Sequence, residues 1–380
     1  MAQAHEDQNV HRSATAGVRS AEHPPFWAIA VCAVLIALGF ARRRSGDASP
    51  AASNRRSLEA NRGRSADMPS QIPARGWKDI LLRVYHGISE DRILLVAAGV
   101  TFYSLLAIFP GIAALISIYG LFSDPATVAS HLDTIANVAP GGAVDVLREQ
   151  MTRLASQGGT TLGVSFLVSL AISLWTTNSG VRALFDALNI VYGEKEKRSF
   201  LKLNAITLLV TIEIIVFILL ALAAVVVLPV VLNYITLPGV TAFLVKIGRW
   251  PILFVLVSLA LAVLYRYGPS RIEPQWRWIT WGSVFAAIVW LAASALFSWY
   301  VANFGSYNKT YGSVGAIIGF MTWIWISIIV VLVGAKLNAE MEHQTARETT
   351  TGQPKPLGHR RARMADTVGA AQRVISATTK

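Results

Sequence analysis

Residues 93–123 read ILLVAAGVTFYSLLAIFPGIAALISIYGLFS and contain no Asp, Glu, Lys or Arg. A helix needs about 20 apolar residues to cross a hydrocarbon core about 30 Å thick, and this run exceeds that length. Two further uncharged runs, 162–181 and 279–301, are also long enough for a membrane span. The sequence therefore predicts an all-α, polytopic transmembrane helix bundle.

The composition supports the same conclusion. Of the 380 residues, 53% are hydrophobic and only 15% are charged, whereas soluble domains carry about 25% charged residues. This balance excludes a soluble enzyme, a secreted disulfide scaffold and a free nucleic-acid-binding domain as descriptions of the whole chain. Cys32 is the single cysteine, so the chain has no intramolecular disulfide and no paired-cysteine metal site.

The hydrophobic pattern contains six strong spans and a weaker one before them. The weaker run, 24–41, is followed directly by three arginines, which is typical of a signal-anchor helix; an interfacial helix is the alternative. We therefore expect a six-helix core plus one N-terminal anchor helix. The strong spans lie at about 93–122, 160–181, 204–230, 250–267, 279–301 and 312–335.

Lysine and arginine alternate strictly between the segments that join these spans. The segments 42–92, 182–202, 266–278 and 336–380 hold 27 Lys and Arg residues, and the intervening segments hold seven. Basic residues accumulate in cytoplasmic loops, so we expect the basic segments and the C-terminus to be cytoplasmic. This distribution accounts for the formal charge of +12 without a nucleic-acid partner.

Composition also divides the chain into four parts. Residues 1–41 form an N-terminal tail and anchor helix, and 42–77 have the composition of a disordered basic linker. Residues 78–343 form the six-span membrane domain, and 344–380 read as a disordered basic cytoplasmic tail.

The first strong span is long for a single crossing and holds Pro110 near its middle. Proline removes a backbone donor and clashes with the preceding turn, so we expect a kink or a break there. A break would matter because discontinuous helices build substrate sites in transporters.

Several short motifs in the six-span region are specific in combination. They are GVTFYSLLAIFP at 99–110, LYRYGP at 264–269, FGSY at 304–307, YGSVG at 311–315 and GAKLNAE at 334–340. With these motifs, residues 98–340 resemble the YihY/BrkB family of bacterial inner-membrane proteins, once labelled ribonuclease BN. The resemblance implies a six-helix domain of the bacterial inner (plasma) membrane with both core ends in the cytoplasm. Virulence, envelope maintenance and transport-like roles have been suggested for this family.

The ribonuclease label finds no support in the residues. RNA hydrolysis needs paired acid and base groups or clustered metal ligands. The seven histidines occur in no HExxH or HxE spacing, and no P-loop is present. We expect a non-enzyme without a metal, a cofactor or a specific nucleic-acid partner.

Glu213 is the one acidic residue well inside a predicted span. A carboxylate at this depth is costly, so it should face protein, water or a partner, or be protonated. A functional Glu213 would relay protons or cations, or contact a lipid headgroup. A structural Glu213 would form a single interhelical hydrogen bond.

A second group of candidates shares one helical face at the end of the second strong span. Trp175, Asn178, Ser179 and Arg182 follow i, i+3, i+4 and i+7 spacing. Arg182 either meets a phosphate-bearing substrate or is an interfacial arginine that extends to water. Tyr103 and Ser104 in the first strong span are weaker candidates, since hydroxyls often bond a neighbouring helix.

Small residues and proline provide candidates for helix packing. They are Pro110, Gly312, Gly315 and Gly319, of which the last two form a GxxxG motif. This spacing lets helix backbones approach closely, either within the chain or in a homodimer.

Together these patterns predict transport-like handling of a lipid or amphipathic substrate in envelope maintenance. The path would be lined by Glu213, Asn178, Arg182, Tyr103 and Ser104. The alternative is a structural or interaction scaffold. The expected partners are membrane lipids, whose anionic headgroups would attract the arginines at 42–44, 55–56 and 360–363.

Overall fold

The computed structural model describes residues 61–120, 162–222, 239–304 and 313–371. Within these ranges the chain is helical, and the β-structure consists of one isolated bridge between Pro274 and Thr350. The long helices are α1 (Ala74–Glu90), α2 (Ile93–Gly120), α3 (Leu162–Tyr192), α4 (Phe200–Leu222), α5 (Gly239–Tyr267), α6 (Trp276–Phe304) and α7 (Ser313–Glu342). A 3-10 turn at Pro69–Gln71 precedes α1, and the single turn α8 (Arg363–Asp366) lies in the C-terminal segment.

Each of the six predicted strong spans coincides with one helix from α2 to α7. By length and composition, Phe200–Leu220, Trp276–Val301 and Ile317–Glu342 could cross a membrane, and α1 with the start of α2 gives a fourth candidate if that bent pair counts as one span. These bounds refer to the described residues, and the predicted anchor helix at 24–41 lies outside them. The prediction of an all-α polytopic bundle is confirmed.

Helix α1 is amphipathic and joins α2 at a sharp corner. Ile80, Val84 and Ile88 recur at four-residue spacing and are all buried, so they form the apolar face that packs on α7 and α2. The axes of α1 and the start of α2 differ by 60°. Arg92 turns this corner with a left-handed backbone (φ 50°).

Helix α2 continues through Pro110 to Gly120, so the alternative of two separate half-helices is not observed. Helix α3 packs closely against α2 where the facing residues of both helices are small. A Cβ added at Gly180 would lie 3.2 Å from the Cβ of Ala107 and 3.3 Å from the Cα of Ser104. This contact of small surfaces fits the packing expected of helices in lipid.

The closest approach between α6 and α7 also depends on glycine. A Cβ at Gly282 would lie 2.5 Å from the carbonyl oxygen of Gly334, and one at Gly334 would lie 2.7 Å from the Cβ of Ala286. A Cβ at Gly319 would meet nothing within 4 Å. Close packing within the chain therefore occurs at Gly282 and Gly334 and not at the predicted Gly319, because the crossing point of two helices is not encoded in their local spacing.

The prediction of disorder is wrong for residues 61–77 and 344–371. Gln344 and Thr345 are fully buried, and the buried Arg360 donates hydrogen bonds to the carbonyls of Ala346, Arg347, Lys355 and Ala365. The tertiary contacts of these segments are made by buried polar side chains that bind main-chain carbonyls. Such contacts leave no apolar periodicity in the sequence, so composition alone predicted disorder. Residues 42–60, 372–380 and Gly312 lie outside the described ranges.

The four basic segments meet at one end of the bundle, as expected if they share one side of the membrane. Arg198 donates to the carbonyls of Tyr267 and Gly268, and the Ala346 amide donates to the carbonyl of Arg64. The backbone amide of Gln275 likewise donates to the carbonyl of Thr349. We call this region, formed by residues 61–92, 193–199, 267–278 and 336–371, the charged end.

Candidate functional site

Asn178 lies buried in the interface between α3 and α4. Its Nδ2 donates to Oδ1 of Asn204 at 3.5 Å, and its Oδ1 accepts from Oγ1 of Thr211 at 3.5 Å. Asn204, Thr207 and Thr211 are all buried and follow i, i+3, i+7 spacing along one face of α4. Asn178 is therefore bonded to Asn204 and Thr211 in a polar seam that joins the two helices, and Thr207 bonds carbonyls of its own helix.

Glu213 lies on a different side of α4. It follows Thr211 by two residues, which places it about 200° around the helix from the seam with α3. The carboxylate is half-buried between the exposed Ile212 and Ile214, and no described residue forms a hydrogen bond or ion pair with it. The structure therefore does not bring Glu213 and Asn178 together.

Arg182 lies among aromatic side chains. Its guanidinium is 5.6 Å from the ring of Phe200, and the ring of Trp175, which is 55% exposed, lies 6.5 Å from the same ring. This is a cation–π and interfacial arrangement. Tyr103 is exposed, and the backbone at Ser104 packs against Gly180. The five predicted path residues thus do not assemble into one site within the described structure.

A different site, which the sequence did not predict, lies at the charged end. A cavity of about 410 Å³ opens between α1, the end of α3, α7 and the C-terminal segment. Its lining includes the histidines His86 and His343 and a patch formed by Ile190, Val191 and Met364. The charged residues of this polar pocket are Arg83, Glu90, Asp91, Lys336, Glu340 and Arg363.

An ion network forms one wall of the polar pocket. Nε of Arg83 lies 2.6 Å from Oε2 of Glu340, and Nζ of Lys336 lies 2.7 Å from Oδ2 of Asp91 and 3.4 Å from Oε1 of Glu340. Two cations and two carboxylates therefore balance each other in a largely buried position, as buried charges require. The network joins α1, the corner after it and α7.

Gly87 makes this network possible. A Cβ at this position would lie 2.3 Å from Cε of Lys336, so the lysine side chain crosses α1 where Gly87 has no side chain to obstruct it. The local sequence indicates only one pair of this ion network, Lys336 and Glu340, which lie one helical turn apart in the GAKLNAE motif. Their partners Arg83 and Asp91 lie more than 240 residues earlier, so sequence spacing does not reveal them.

The C-terminal segment forms the opposite wall. Helix α3 ends at Tyr192 and is followed by Gly193, whose left-handed backbone (φ 65°) lets the amide of Glu194 bond back to the carbonyl of Asn189, as in a Schellman cap. Glu194 then accepts a hydrogen bond from the backbone amide of Arg363 at 2.6 Å. Further along, the amide of Gly369 donates to the carbonyl of His343 at 2.7 Å, so the segment is attached on both sides of α8.

Two further charge pairs stabilise the charged end. Burial lowers the pKa of Arg271, but the carboxylate of Glu342 outweighs it, so the pKa is raised and the guanidinium stays charged. Burial raises the pKa of Glu196, yet the hydrogen bonds from Arg198 and Asn189 prevail and the pKa is lowered to about 2. Arg271 and Glu196 are therefore charged at neutral pH.

In the ranges that the structure describes, no three His, Cys, Asp or Glu side chains are grouped closely enough to hold a metal ion. Asp91 and Glu340 of the polar pocket instead pair with Lys336 and Arg83.

Comparison with known proteins gives the family. The family model described as Virulence factor BrkB matches residues 84–357. The ribonuclease-like protein YfkH of Bacillus subtilis (strain 168) is 28% identical over 253 residues, covering 64% of this chain and 88% of that protein. A UPF0761 membrane protein of Pseudoalteromonas translucida (strain TAC 125) is 28% identical over 275 residues, covering 68% and 85% of the two chains.

A UPF0761 membrane protein of Haemophilus influenzae (strain 86-028NP) is 25% identical over 272 residues, covering 70% of this chain and 96% of that protein. No solved structure matches the chain at a significant level. The family model spans most of the membrane domain, including α2 to α7 and three members of the ion network, Asp91, Lys336 and Glu340. The chain therefore belongs to the virulence factor BrkB family of membrane proteins.

Proposed function

We propose that this membrane protein binds and moves a lipid or another amphipathic molecule, with the polar head of that molecule in the polar pocket. The observation that carries the proposal is the position of the pocket. Lys336 directly follows the predicted span 312–335, and Asp91 lies just before the span that begins at residue 93. The pocket therefore lies at the depth where lipid headgroups meet the end of an apolar bundle.

The size and lining of the pocket support such a ligand. About 410 Å³ falls within the range of about 300–1,000 Å³ typical of small-molecule sites. The patch of Ile190, Val191 and Met364 offers an apolar surface beside the charged groups. The ion network balances its own charges, so the pocket keeps its shape without a ligand.

The charge pattern suggests an orientation for this activity. If the charged end faces the cytoplasm, as the positive-inside rule requires, the polar pocket opens at the inner leaflet. We therefore propose a role in envelope maintenance at the bacterial inner membrane.

Filling the polar pocket tests the proposal. Thr367 lines the pocket and is exposed, and its neighbour Val368 is exposed without lining the pocket. In a strain that lacks the gene, we expect Thr367→Trp to leave an altered envelope lipid composition uncorrected, whereas the wild type and the matched control Val368→Trp restore it. Equal expression and equal melting temperatures would show that both variants fold. Full complementation by Thr367→Trp would contradict the proposal.

A scaffold is the second candidate, and the α3–α4 seam favours it. Asn178, which was predicted to line a path, is instead used to hold two helices together. A scaffold predicts that filling the polar pocket changes neither complementation nor lipid composition. The same pair of variants therefore separates the two functions.

Ribonuclease activity is a third reading, suggested by the name of the Bacillus subtilis relative. We propose that this chain has none, since two of the three carboxylates of the polar pocket, Asp91 and Glu340, pair with Lys336 and Arg83. The test incubates the purified full chain with RNA, with and without Mg²⁺. Cleavage that is present in the wild type and lost in Glu90→Gln would overturn this part of the proposal.

A further inference from the structure

Two of the three cations in the polar pocket already have partners. Arg83 donates to the side chain and carbonyl of Glu340, to Oε1 of Gln344 and to the carbonyl of Ala370. Lys336 lies between the carboxylates of Asp91 and Glu340. Neither cation is available for a ligand without breaking a buried ion pair.

Arg363 is the cation that remains available. Its Nη1 makes one long contact with the carbonyl of Gly193, at 3.4 Å, and no carboxylate among the described residues lies within 4.0 Å of the guanidinium. The side chain is exposed and lines the polar pocket. A planar guanidinium with free N–H groups is suited to the oxygens of a phosphate.

Glu90 is the matching free anion. It lies at the end of α1, is exposed and lines the same cavity. Within the described ranges, no hydrogen bond or ion pair reaches its carboxylate. A carboxylate of this kind accepts hydrogen bonds from a primary ammonium group.

His343 also lines the polar pocket. Its Nδ1 lies 3.5 Å from Oε2 of Glu340, beside the ion network. The imidazole can donate to a phosphate or hydroxyl oxygen.

We infer that the polar pocket takes a zwitterionic headgroup with a phosphate and a primary ammonium, of the phosphoethanolamine type. Arg363 donates to the phosphate oxygens and Glu90 accepts from the ammonium. This inference rests on the proposed function, because it names the class of amphipathic molecule that the pocket binds.

Other headgroups fit the free charges less well. A purely anionic head leaves Glu90 facing a like charge, which is unfavourable at short range. A choline head has no N–H to donate to Glu90. The family match ends at residue 357, so Arg363 lies outside the matched residues.

Lipid binding to the purified full chain tests the inference. The probes are phosphatidylethanolamine, phosphatidylglycerol and phosphatidylcholine with identical acyl chains, measured by native mass spectrometry in a nonionic detergent. We expect phosphatidylethanolamine to bind about tenfold more tightly than the other two, as one well-placed charged contact provides. Glu90→Gln should abolish this preference, and Arg363→Gln should weaken binding of all three lipids.

Matched controls separate these effects from a general loss of charge. Arg361→Gln removes an exposed arginine two residues from Arg363, and Glu273→Gln removes an exposed carboxylate away from the polar pocket. Both controls should bind phosphatidylethanolamine like the wild type. Melting temperatures equal to that of the wild type would show that the pocket variants are folded.

Each outcome has a defined meaning. Tighter binding of phosphatidylglycerol than phosphatidylethanolamine, still sensitive to Arg363→Gln, overturns the headgroup class and leaves the proposed function intact. Lipid binding that neither Arg363→Gln nor Thr367→Trp alters overturns both. Soluble glycerophosphoethanolamine is the final competitor. If it fails to displace the lipid, the result supports a membrane lipid as the ligand. Full displacement at equal concentration would overturn that assignment.

Discussion

Arg271 and Glu342 form a double ion pair with both side chains fully buried. Nη1 lies 2.8 Å from Oε2 and Nη2 lies 2.8 Å from Oε1, and the guanidinium carbon lies 4.2 Å from the ring centre of Tyr192. The pair connects the loop between α5 and α6 with the last residue of α7, against the last residue of α3. One loop and two helices are therefore joined at the charged end.

Removing one member of this pair should destabilise the protein strongly. Glu342→Gln leaves the buried Arg271 without a counter-charge, so we expect a loss of about 3–5 kcal/mol in the free energy of unfolding. The double variant Arg271→Met, Glu342→Met removes both charges and should lose less. Thermal unfolding in detergent compares the three proteins, and a Glu342→Gln variant as stable as the wild type would refute the argument.

Gly87→Ala should disrupt the ion network of the polar pocket. The added Cβ would lie 2.3 Å from Cε of Lys336, and this side chain cannot simply move away because two buried carboxylates hold it. We expect a loss of about 1–3 kcal/mol. Gly99→Ala is the matched control, since a Cβ there meets nothing within 4 Å. Equal melting temperatures for the two variants would show that Gly87 has no packing role.

The hydrogen bonds of Glu196 predict a pH dependence. Its pKa is lowered from 4.5 to about 2 in the folded protein, so its contribution to stability is present above pH 4.5 and is lost as the pH falls toward 2. Glu196→Gln should therefore melt below the wild type at pH 7, and the difference should shrink as the pH falls through 4.5. Glu273→Gln serves as the control with an exposed carboxylate. A difference that stays constant with pH would contradict the assignment.

Asn178 and Glu213 should respond differently to substitution. Asn178→Leu leaves Oδ1 of Asn204 without its donor in a buried interface, whereas Thr211 keeps its bond to the carbonyl of Thr207, and we expect the change to cost about 1–3 kcal/mol. Glu213 has no partner among the described residues and lies about 20 Å along α4 from Phe200 at the charged end. Glu213→Gln should therefore complement a deletion strain and melt like the wild type. Loss of complementation with unchanged stability would instead place Glu213 on a substrate path.

Much of the architecture could be predicted from the amino-acid order because its signals are local. The uncharged run at 93–123 predicts helix α2, and the alternation of Lys and Arg predicts that the basic segments share one side. Each of these patterns involves residues that are close in the chain, and the surrounding lipid leaves few alternatives to a helix.

The polar pocket could not be predicted in this way. Arg83 meets Glu340 across 257 residues of sequence, and Lys336 reaches Asp91 only because Gly87 lacks a side chain. The fold of 344–371 depends on Arg360, which resembles any other basic-tail arginine until its four carbonyl acceptors are in place. Apolar periodicity and charge counts indicate whether a segment is exposed to lipid or to water. The site, in contrast, is formed by contacts between distant segments, and the tertiary structure alone determines those contacts.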